Sequence, residues 1–132
     1  NNNNMNYSAV FLAAIFVLLV GYFGNIYLAR FKLIGSKNPD QNDNQDDWQV
    51  YYFHTPSCSA CKNITPWVIE QSEQNSNIIS VDISKNPESA RIFNIRATPT
   101  AVLIEKNIIQ DVQLGAGVLP VMKSFIEDHS AE

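Results

Sequence analysis

The chain of 132 residues has room for one domain and one accessory segment, because independent domains usually contain about 100–150 residues. Its net charge is −4, and its lysines and arginines are scattered rather than clustered, which argues against a nucleic-acid partner. Both cysteines stand in one Cys-x-x-Cys motif, which excludes a secreted scaffold held together by several disulfides. We therefore expect the two thiols to carry out chemistry or to bind a metal.

The first 31 residues are predicted to form a short tail and a membrane anchor. Met5 is the expected start of translation, so residues 1–4 are expected not to be native and residues 1–6 to form a tail. No charged residue occurs between positions 7 and 29, and about 20 apolar residues suffice to cross the hydrocarbon layer of a membrane. A cleaved signal peptide needs a positive n-region and a cleavage site that this segment lacks. We predict one transmembrane helix within residues 7–31, rather than a signal peptide or a buried soluble helix.

The positive charges next to this segment bear on its orientation. Arg30, Lys32 and Lys37 follow the apolar stretch, whereas no lysine or arginine precedes it. By the positive-inside rule, this favours a single-pass protein whose C-terminal domain is cytoplasmic; export of the domain is the alternative. Residues 32–47 are rich in Asn, Asp and Gln, so they are predicted to form a polar, solvated linker before a domain at residues 48–132.

The domain is predicted to alternate strands and helices. Predicted strands occupy residues 48–53, 78–83, 100–104 and 108–114, and predicted helices occupy residues 58–75, 87–93 and the stretch that follows Gly117. The last helix is amphipathic, with Val118, Val121, Met122, Phe125 and Ile126 on one face. The order β-α-β-α-β-β-α implies an α/β fold in which a parallel strand pair and a hairpin share a central mixed sheet flanked by helices.

The motif Cys58-Ser59-Ala60-Cys61 directly follows a predicted buried strand and opens a predicted helix. At a helix N-terminus, unpaired N–H groups and the helix dipole stabilise a thiolate, which is the attacking species in disulfide exchange. Cys58 is therefore the predicted nucleophile. Cys61, one turn further on, is the predicted resolving thiol, which attacks the mixed disulfide and releases the partner protein.

Three further stretches carry a resemblance to a known family: FHTPSCSACKNITP at residues 53–66, DISKNP at 82–87 and FNIRATPT at 93–100. Together they resemble the thioredoxin superfamily. The resemblance implies a thioredoxin-like fold and an enzyme that exchanges disulfides with protein thiols, using no cofactor beyond the Cys58–Cys61 dithiol. It also implies an upstream electron donor that resets the dithiol.

The same resemblance implies that Thr98-Pro99 is a cis peptide bond facing the dithiol, with its backbone available to bind an extended substrate segment. Only about 5–6% of X-Pro bonds in folded proteins are cis, so the residues alone would predict trans. Here the family resemblance outweighs this base rate.

The chain also departs from the family pattern near the motif. Ser57 replaces the tryptophan before the first cysteine, Tyr52 occupies the position of a buried acid, and Ser80 replaces the lysine that often partners that acid. The usual proton acceptor for Cys61 is therefore absent. His54 is a possible substitute base, because its unperturbed pKa of about 6.5 suits proton exchange near neutrality; the alternative is that it merely packs beside the loop.

Three functions remain open from the sequence. The first is a membrane-anchored thiol–disulfide oxidoreductase, with reduction of its partners favoured as the direction. The second is a redox-silent docking subunit of a larger membrane complex, because a fold does not guarantee its usual activity. The third is a zinc site formed by Cys58, Cys61, His54 and His129, although His129 is expected to lie in a frayed terminus.

Overall fold

The computed structural model describes residues 6–40 and 48–130. The start of the predicted tail, the second part of the predicted linker at residues 41–47, and the last two residues lie outside the described residues.

One mixed sheet organises the domain, with strand order β2-β1-β3-β4. The strands are β1 (Trp48–His54), β2 (Ile78–Asp82), β3 (Thr100–Glu105) and β4 (Ile108–Leu114). The helices are α1 (Tyr7–Leu33), α2 (Thr65–Gln74), α3 (Pro87–Ile92) and α4 (Val118–Ser130), with 3₁₀ turns at Ala60–Asn63 and Gly115–Gly117. Strand β1 pairs in parallel with β2 and antiparallel with β3, which in turn pairs antiparallel with β4. This confirms the predicted element order, the parallel pair and the hairpin.

The core lies on both faces of β1, because successive side chains of a strand point to opposite sides. Trp48, Val50 and Tyr52 pack on the face covered by α2 and α4. Tyr51 and Phe53 pack on the other face, which is covered by α3 and the end of α1. The predicted apolar face of the last helix is confirmed, since its five residues all belong to the first of these two clusters. A strand buried on both faces explains why the sequence of β1 is almost entirely apolar and aromatic.

The helix predicted to run from residue 58 is divided in the structure. Ala60–Asn63 form a 3₁₀ turn, and the α-helix begins only at Thr65, so the prediction of a helix from residue 58 was wrong at its start. The reason is Pro66, which stands in the first turn of α2. Proline has no N–H group to bond to a carbonyl one turn earlier, so regular α-helical bonding cannot continue through it. The dithiol therefore lies on a tight turn in front of the helix.

Helix α1 is a 27-residue apolar helix with a mean hydropathy of 2.3 in its most apolar window. That window is exposed throughout, so it is not a core helix of the domain. Among the described residues it is the one helix that is long and apolar enough to cross a membrane.

Residues 35–40 differ from the predicted solvated linker, because they lie against the domain. Gly35 and Asn38 donate backbone hydrogen bonds to the carbonyl oxygens of Ile109 (2.8 Å) and Asn107 (2.9 Å). The buried Asn38 side chain also donates from Nδ2 to Oε1 of Gln49, at 2.9 Å. The exposed edge of β4 offers unpaired backbone groups, so this polar segment finds partners there without burying apolar surface.

Candidate active site

Cys58 and Cys61 form a disulfide immediately in front of α2, with a Cα–Cα distance of 5.3 Å. Cys58 is partly exposed, whereas only 2% of Cys61 is accessible. The backbone N–H of Cys61 donates to Sγ of Cys58, at 3.2 Å. A hydrogen bond from a backbone N–H stabilises a thiolate on Cys58 when the disulfide is reduced. The two sulfurs therefore differ both in access and in electrostatic support.

The loop before Cys58 places it at one particular end of the sheet. Strand β1 ends at His54, and the N–H of Cys58 donates to the carbonyl of Thr55 at 3.1 Å, which closes a turn directly after the strand. Strand register puts three other strand termini at the same end. We call the end of the sheet where His54, Asp82, Thr100 and Leu114 lie the dithiol end.

A groove of about 610 Å³ opens at the dithiol. Its walls include both cysteines together with His54, Pro66, Ile69 and Asp82. Within residues 6–40 and 48–130, Ile69 is the one large hydrophobic side chain outside α1 that is exposed, at 43%. An apolar groove with a few polar groups at its floor suits an extended peptide segment.

His54, the predicted base, lies in this groove with both cysteines. Its Nε2 is 2.9 Å from Oγ of Ser80, and its ring stacks on Tyr52 with centroids 5.3 Å apart. Burial lowers the pKa of His54, and the carboxylate of Asp82 opposes this shift only in part. At neutral pH the imidazole is therefore uncharged and able to accept a proton. A serine hydroxyl can donate to neutral imidazole or accept from its charged form, so Ser80 can satisfy both states.

Tyr52 does not replace the missing acid. The side chain is fully buried, and its hydroxyl is 2.9 Å from Oγ1 of Thr65. Burial raises the pKa of Tyr52, and the hydrogen bond with Thr65 offsets this only in part. The phenol therefore keeps its proton at neutral pH and cannot accept another as a carboxylate would.

Asp82 is a residue of the groove that the sequence analysis did not single out as part of the site. Parallel pairing of β1 with β2 places it opposite His54. Its Oδ1 accepts hydrogen bonds from the N–H (3.0 Å) and the hydroxyl (2.6 Å) of Ser84, and these lower the pKa of the carboxyl. The carboxylate is thus a fixed negative charge beside the imidazole. The sequence indicated only that Asp82 and His54 end two predicted parallel strands. That they lie side by side follows only once the register of the two strands is known.

Thr98-Pro99 is a cis peptide bond, as predicted for its geometry. Pro99 is buried, and its carbonyl accepts a hydrogen bond from the N–H of Gly115 at 3.0 Å. Thr100 pairs with Phe53, so the cis bond lies at the dithiol end of the sheet.

His129 does not lie in a frayed terminus, so that prediction was wrong. It belongs to α4, its ring stacks on Phe125 with centroids 4.0 Å apart, and its Nε2 is 3.4 Å from Oε2 of Glu105. Its ring centroid is 5.9 Å from that of Trp48, at the start of β1, whereas His54 ends the same strand. Six steps of about 3.3 Å along a strand separate these two ends. The four side chains of the zinc hypothesis are therefore not brought together.

Among residues 6–40 and 48–130, no group of three or more His, Cys, Asp or Glu side chains is arranged to hold a metal ion. The disulfide is the only redox centre in this part of the chain.

A sequence model of the thioredoxin family matches residues 36–128 of this chain. The chain belongs to the thioredoxin family. Its relatives include thioredoxin Asp f 28 of Aspergillus fumigatus, which is 33% identical over 84 residues, or 62% of this chain and 78% of the relative. The thioredoxin of Buchnera aphidicola from Acyrthosiphon pisum is 29% identical over 80 residues, or 58% of this chain and 74% of the relative.

Solved structures agree with this assignment. The Schistosoma mansoni thioredoxin pre-protein superposes with a TM-score of 0.53 at 30% identity, covering 64% of this chain and 82% of the other. Thioredoxin f2 of Chlamydomonas reinhardtii gives a TM-score of 0.55 at 25% identity, covering 71% and 89% of the two chains. With both cysteines present and joined as a disulfide, the chain is a thiol–disulfide oxidoreductase of this family, which acts on protein disulfides without a bound cofactor.

Proposed function

We propose that this thioredoxin-family oxidoreductase reduces protein disulfides while held at a membrane by α1, with Cys58 as the nucleophile and Cys61 as the resolving thiol. One observation carries the assignment of roles: the accessible sulfur and the buried sulfur lie together at the mouth of an apolar groove. An incoming disulfide can reach Cys58 but not Cys61. Exchange must therefore begin at Cys58.

The reaction consists of two thiol–disulfide exchanges. The Cys58 thiolate attacks one sulfur of the partner's disulfide, so a mixed disulfide forms and the partner's other sulfur leaves as a thiolate. The Cys61 thiolate then attacks Sγ of Cys58, which forms the Cys58–Cys61 disulfide and releases the partner's second thiolate. The partner gains two electrons and the dithiol loses two. A further dithiol, the upstream electron donor, returns the pair to its reduced form.

His54 is proposed to take the proton of Cys61 before the second exchange. Support comes from its place in the same groove as both cysteines and from the burial that keeps it neutral. The proton then passes from the imidazole to solvent or to the departing partner thiolate. Ser80 is a positioning residue in this proposal, because its hydroxyl holds Nε2 at 2.9 Å.

The partner segment is proposed to bind extended across the groove, between Ile69 on one side and the Thr98-Pro99 bond on the other. The Pro99 carbonyl is already bonded to Gly115, so backbone pairing with the partner is assigned to Thr98. Apolar contact with Ile69 would contribute roughly 1 kcal/mol or more to binding, given the area that a half-exposed isoleucine can still bury.

Helix α1 is proposed to cross the membrane once, with residues 48–132 as the catalytic domain. The basic residues after the span favour a cytoplasmic domain, with the exported side as the alternative. The proposed partners are protein thiols and disulfides, the electron donor and a larger membrane complex; no nucleic-acid partner is proposed.

The experiment that tests this function is a redox titration of the Cys58–Cys61 couple in the full chain, kept in detergent or nanodiscs. A two-electron couple near the thioredoxin value of about −270 mV supports a reductase, whereas one near about −120 mV indicates an oxidant. Absence of a reversible couple would overturn the proposed oxidoreductase function, and a redox-silent docking subunit would then be the favoured function. Trapping of a mixed disulfide by Cys61→Ser, but not by Cys58→Ser, tests the two assigned roles.

A further inference from the structure

Helix α1 has two parts that differ in what they contact. Its side chains as far as Phe23 are exposed, whereas Leu33 packs against the core of the domain. Contact with the domain begins near Ile26, which lines a small crevice together with Thr100 and Leu114. The part before Ile26 is therefore free to meet lipid, and the part after it is attached to the domain.

The attached part of α1 runs antiparallel to β4. Nη2 of Arg30 lies 3.4 Å from Oδ1 of Asp111 and 3.3 Å from Oε1 of Gln113. Further along the chain, the Gly35 N–H donates to the carbonyl of Ile109 at 2.8 Å. Residue numbers rise along α1 and fall along β4. The free part of α1 therefore leaves the domain beyond the C-terminal end of β4.

The C-terminal end of β4 belongs to the dithiol end of the sheet. Leu114 pairs with Thr100, and Thr100 pairs with Phe53, the residue before His54. The disulfide follows His54 by a single turn. The apolar helix and the redox site are thus on the same side of the domain.

The length of the free part matches the thickness of a bilayer. At a rise of about 1.5 Å per residue, the roughly 19 residues from Tyr7 to Asn25 span about 28 Å, against about 30 Å of hydrocarbon. The aromatic side chains of Tyr22 and Tyr27 are exposed near the attached end, where an interfacial belt is expected. The membrane boundary therefore falls where the helix reaches the domain, which leaves little space between the dithiol end and the lipid surface.

The charged residues of the domain are unevenly distributed between the dithiol end and the opposite end of the sheet. At the dithiol end are the cations Lys62, Lys85 and Arg96 and the carboxylate Asp82, and the connection from β2 to β3 adds the ion pair of Glu88 and Arg91. Most charges at the opposite end are acidic: Glu73, Glu105, Glu127 and Asp128, against the two cations Lys37 and Lys106. Lysine and arginine side chains near an anionic membrane surface are attracted to it. This distribution favours the same orientation as the helix does.

We infer that the dithiol end faces the bilayer, and that the partner disulfide belongs to an integral membrane protein, in a segment at the membrane surface. The inference rests on the proposed function, since it names the partner of the same site. A freely diffusing protein would have to enter the narrow space between domain and lipid. A partner embedded in the same membrane already lies in that space, and confinement to the membrane raises its effective concentration.

Placement is tested first, without any redox step. Single cysteines for a fluorescent label replace Lys62 or Arg96 at the dithiol end, and Lys106 or Asp128 at the opposite end, in the full chain carrying Cys58→Ser and Cys61→Ser. The protein is reconstituted in phosphatidylcholine–phosphatidylglycerol vesicles that contain a lipid with a nitroxide headgroup. We expect quenching several-fold stronger at the first two positions. Equal quenching at all four, or stronger quenching at the opposite end, would overturn the inferred orientation.

The partner is tested with the cysteine-containing chain in the same vesicles. One probe is a disulfide loop fused to a transmembrane helix, and the other is the same loop free in solution. We expect the membrane-held loop to be reduced at least several-fold faster per molecule at equal surface access. A variant with Arg30→Gln and a flexible Gly-Ser insertion after Ile34 should lose this preference while it keeps its reduction potential.

The outcomes separate this inference from the proposed function. A chain that reduces both loops equally is an oxidoreductase whose partner is not restricted to the membrane, so the inference alone fails. A chain whose label pattern agrees with the orientation, but which reduces neither loop, refutes the proposed function together with the partner assignment.

Discussion

The two histidines of the chain lie near opposite ends of β1, in different surroundings. At the start of the strand, the rings of Phe125 and His129 lie against Trp48, at centroid distances of 6.0 and 5.9 Å, and close that end with aromatic packing. At the other end, His54 borders an open groove of about 610 Å³ that contains the disulfide. The start of β1 is therefore covered by packed side chains, whereas its C-terminal end borders the redox site.

The difference shows how a small domain can separate stability from reactivity. Buried aromatic contacts at the closed end stabilise the fold without any polar requirement. At the open end, the sulfur of Cys58 and the half-buried imidazole of His54 need access to solvent and to a partner protein. Substitutions at the two ends should therefore change different measured quantities.

The largest expected effect is at the open end. Replacing Cys58 with serine removes the accessible nucleophile, so reduction of a protein disulfide by the full chain should fall to the background rate. Cys61→Ser is the matched variant, because it keeps the nucleophile and should accumulate a mixed disulfide visible on a non-reducing gel. Trapping by Cys58→Ser instead would reverse the two assigned roles.

The next effect is at the closed end. Trp48→Ala leaves a cavity between β1 and α4 and should lower the free energy of unfolding by about 3 kcal/mol. Urea unfolding of the full chain in detergent, followed by the emission of Trp67, measures it. The reduction potential should stay unchanged, and Trp48→Phe should cost less than half as much. A shift in potential comparable to that of a groove variant would contradict the separation of the two ends.

A smaller effect concerns the rate at the open end. His54→Gln should slow reduction of a protein disulfide about 100-fold at pH 7, the low end of general acid–base contributions. Because burial lowers the pKa of His54, the wild-type rate should fall only as pH drops below about 6.5. The variant should lack this part of the pH profile, while Ser80→Ala should shift it. Identical pH profiles for all three proteins would exclude His54 from proton transfer.

The same lowered pKa predicts a pH dependence of stability. The unfolded chain binds a proton at the imidazole more readily than the folded chain does, so stability increases with pH in this range. Protonation of the unfolded state below about pH 6.5 should therefore reduce the stability of the fold. Unfolding of the wild type and of His54→Gln at pH 7.5 and 5.5 should show a larger loss for the wild type.

The smallest effect is expected for Glu105→Gln at the closed end. Its carboxylate lies 3.4 Å from Nε2 of His129 but is well exposed, and even a fully charged pair at such a site contributes only about 0.5 kcal/mol. Unfolding should change by no more than that, and the reduction potential should not change. A loss close to that of Trp48→Ala would show that the contact between Glu105 and His129, rather than the aromatic packing, stabilises this end.

Most of the secondary-structure elements could be predicted from short sequence patterns. A run of aromatic and β-branched residues predicted β1, and an uncharged apolar stretch predicted α1. The β3–β4 hairpin turns at Lys106-Asn107, where both residues have positive φ. Such a turn favours Asn, so the position of the turn could also be predicted from the sequence. The start of α2 at Thr65 rather than at Cys58 was not predicted, because the Cys-x-x-Cys and the following residues also fit a helix.

Only part of the candidate site could be predicted from the sequence, because some of its residues lie far apart in the chain. The Cys58–Cys61 spacing and the cis Thr98-Pro99 bond lie in short motifs, so the chain alone, through its family resemblance, was enough to predict them. The contacts of His54 with Ser80 and Asp82 depend on strand register, which joins residues 26 and 28 positions apart. The register of these two strands could not be predicted from a single sequence.

The sequence by itself therefore determined the elements, the dithiol and the apolar helix, because each depends on residues close together in the chain. Only the tertiary structure decided that residues 35–40 pair with the edge of β4 and that His129 packs on Trp48. It alone also decided that α1 leaves the domain at the dithiol end. These features arise where distant segments satisfy each other's hydrogen bonds and bury each other's surface, and such pairings are set by the folded sheet as a whole.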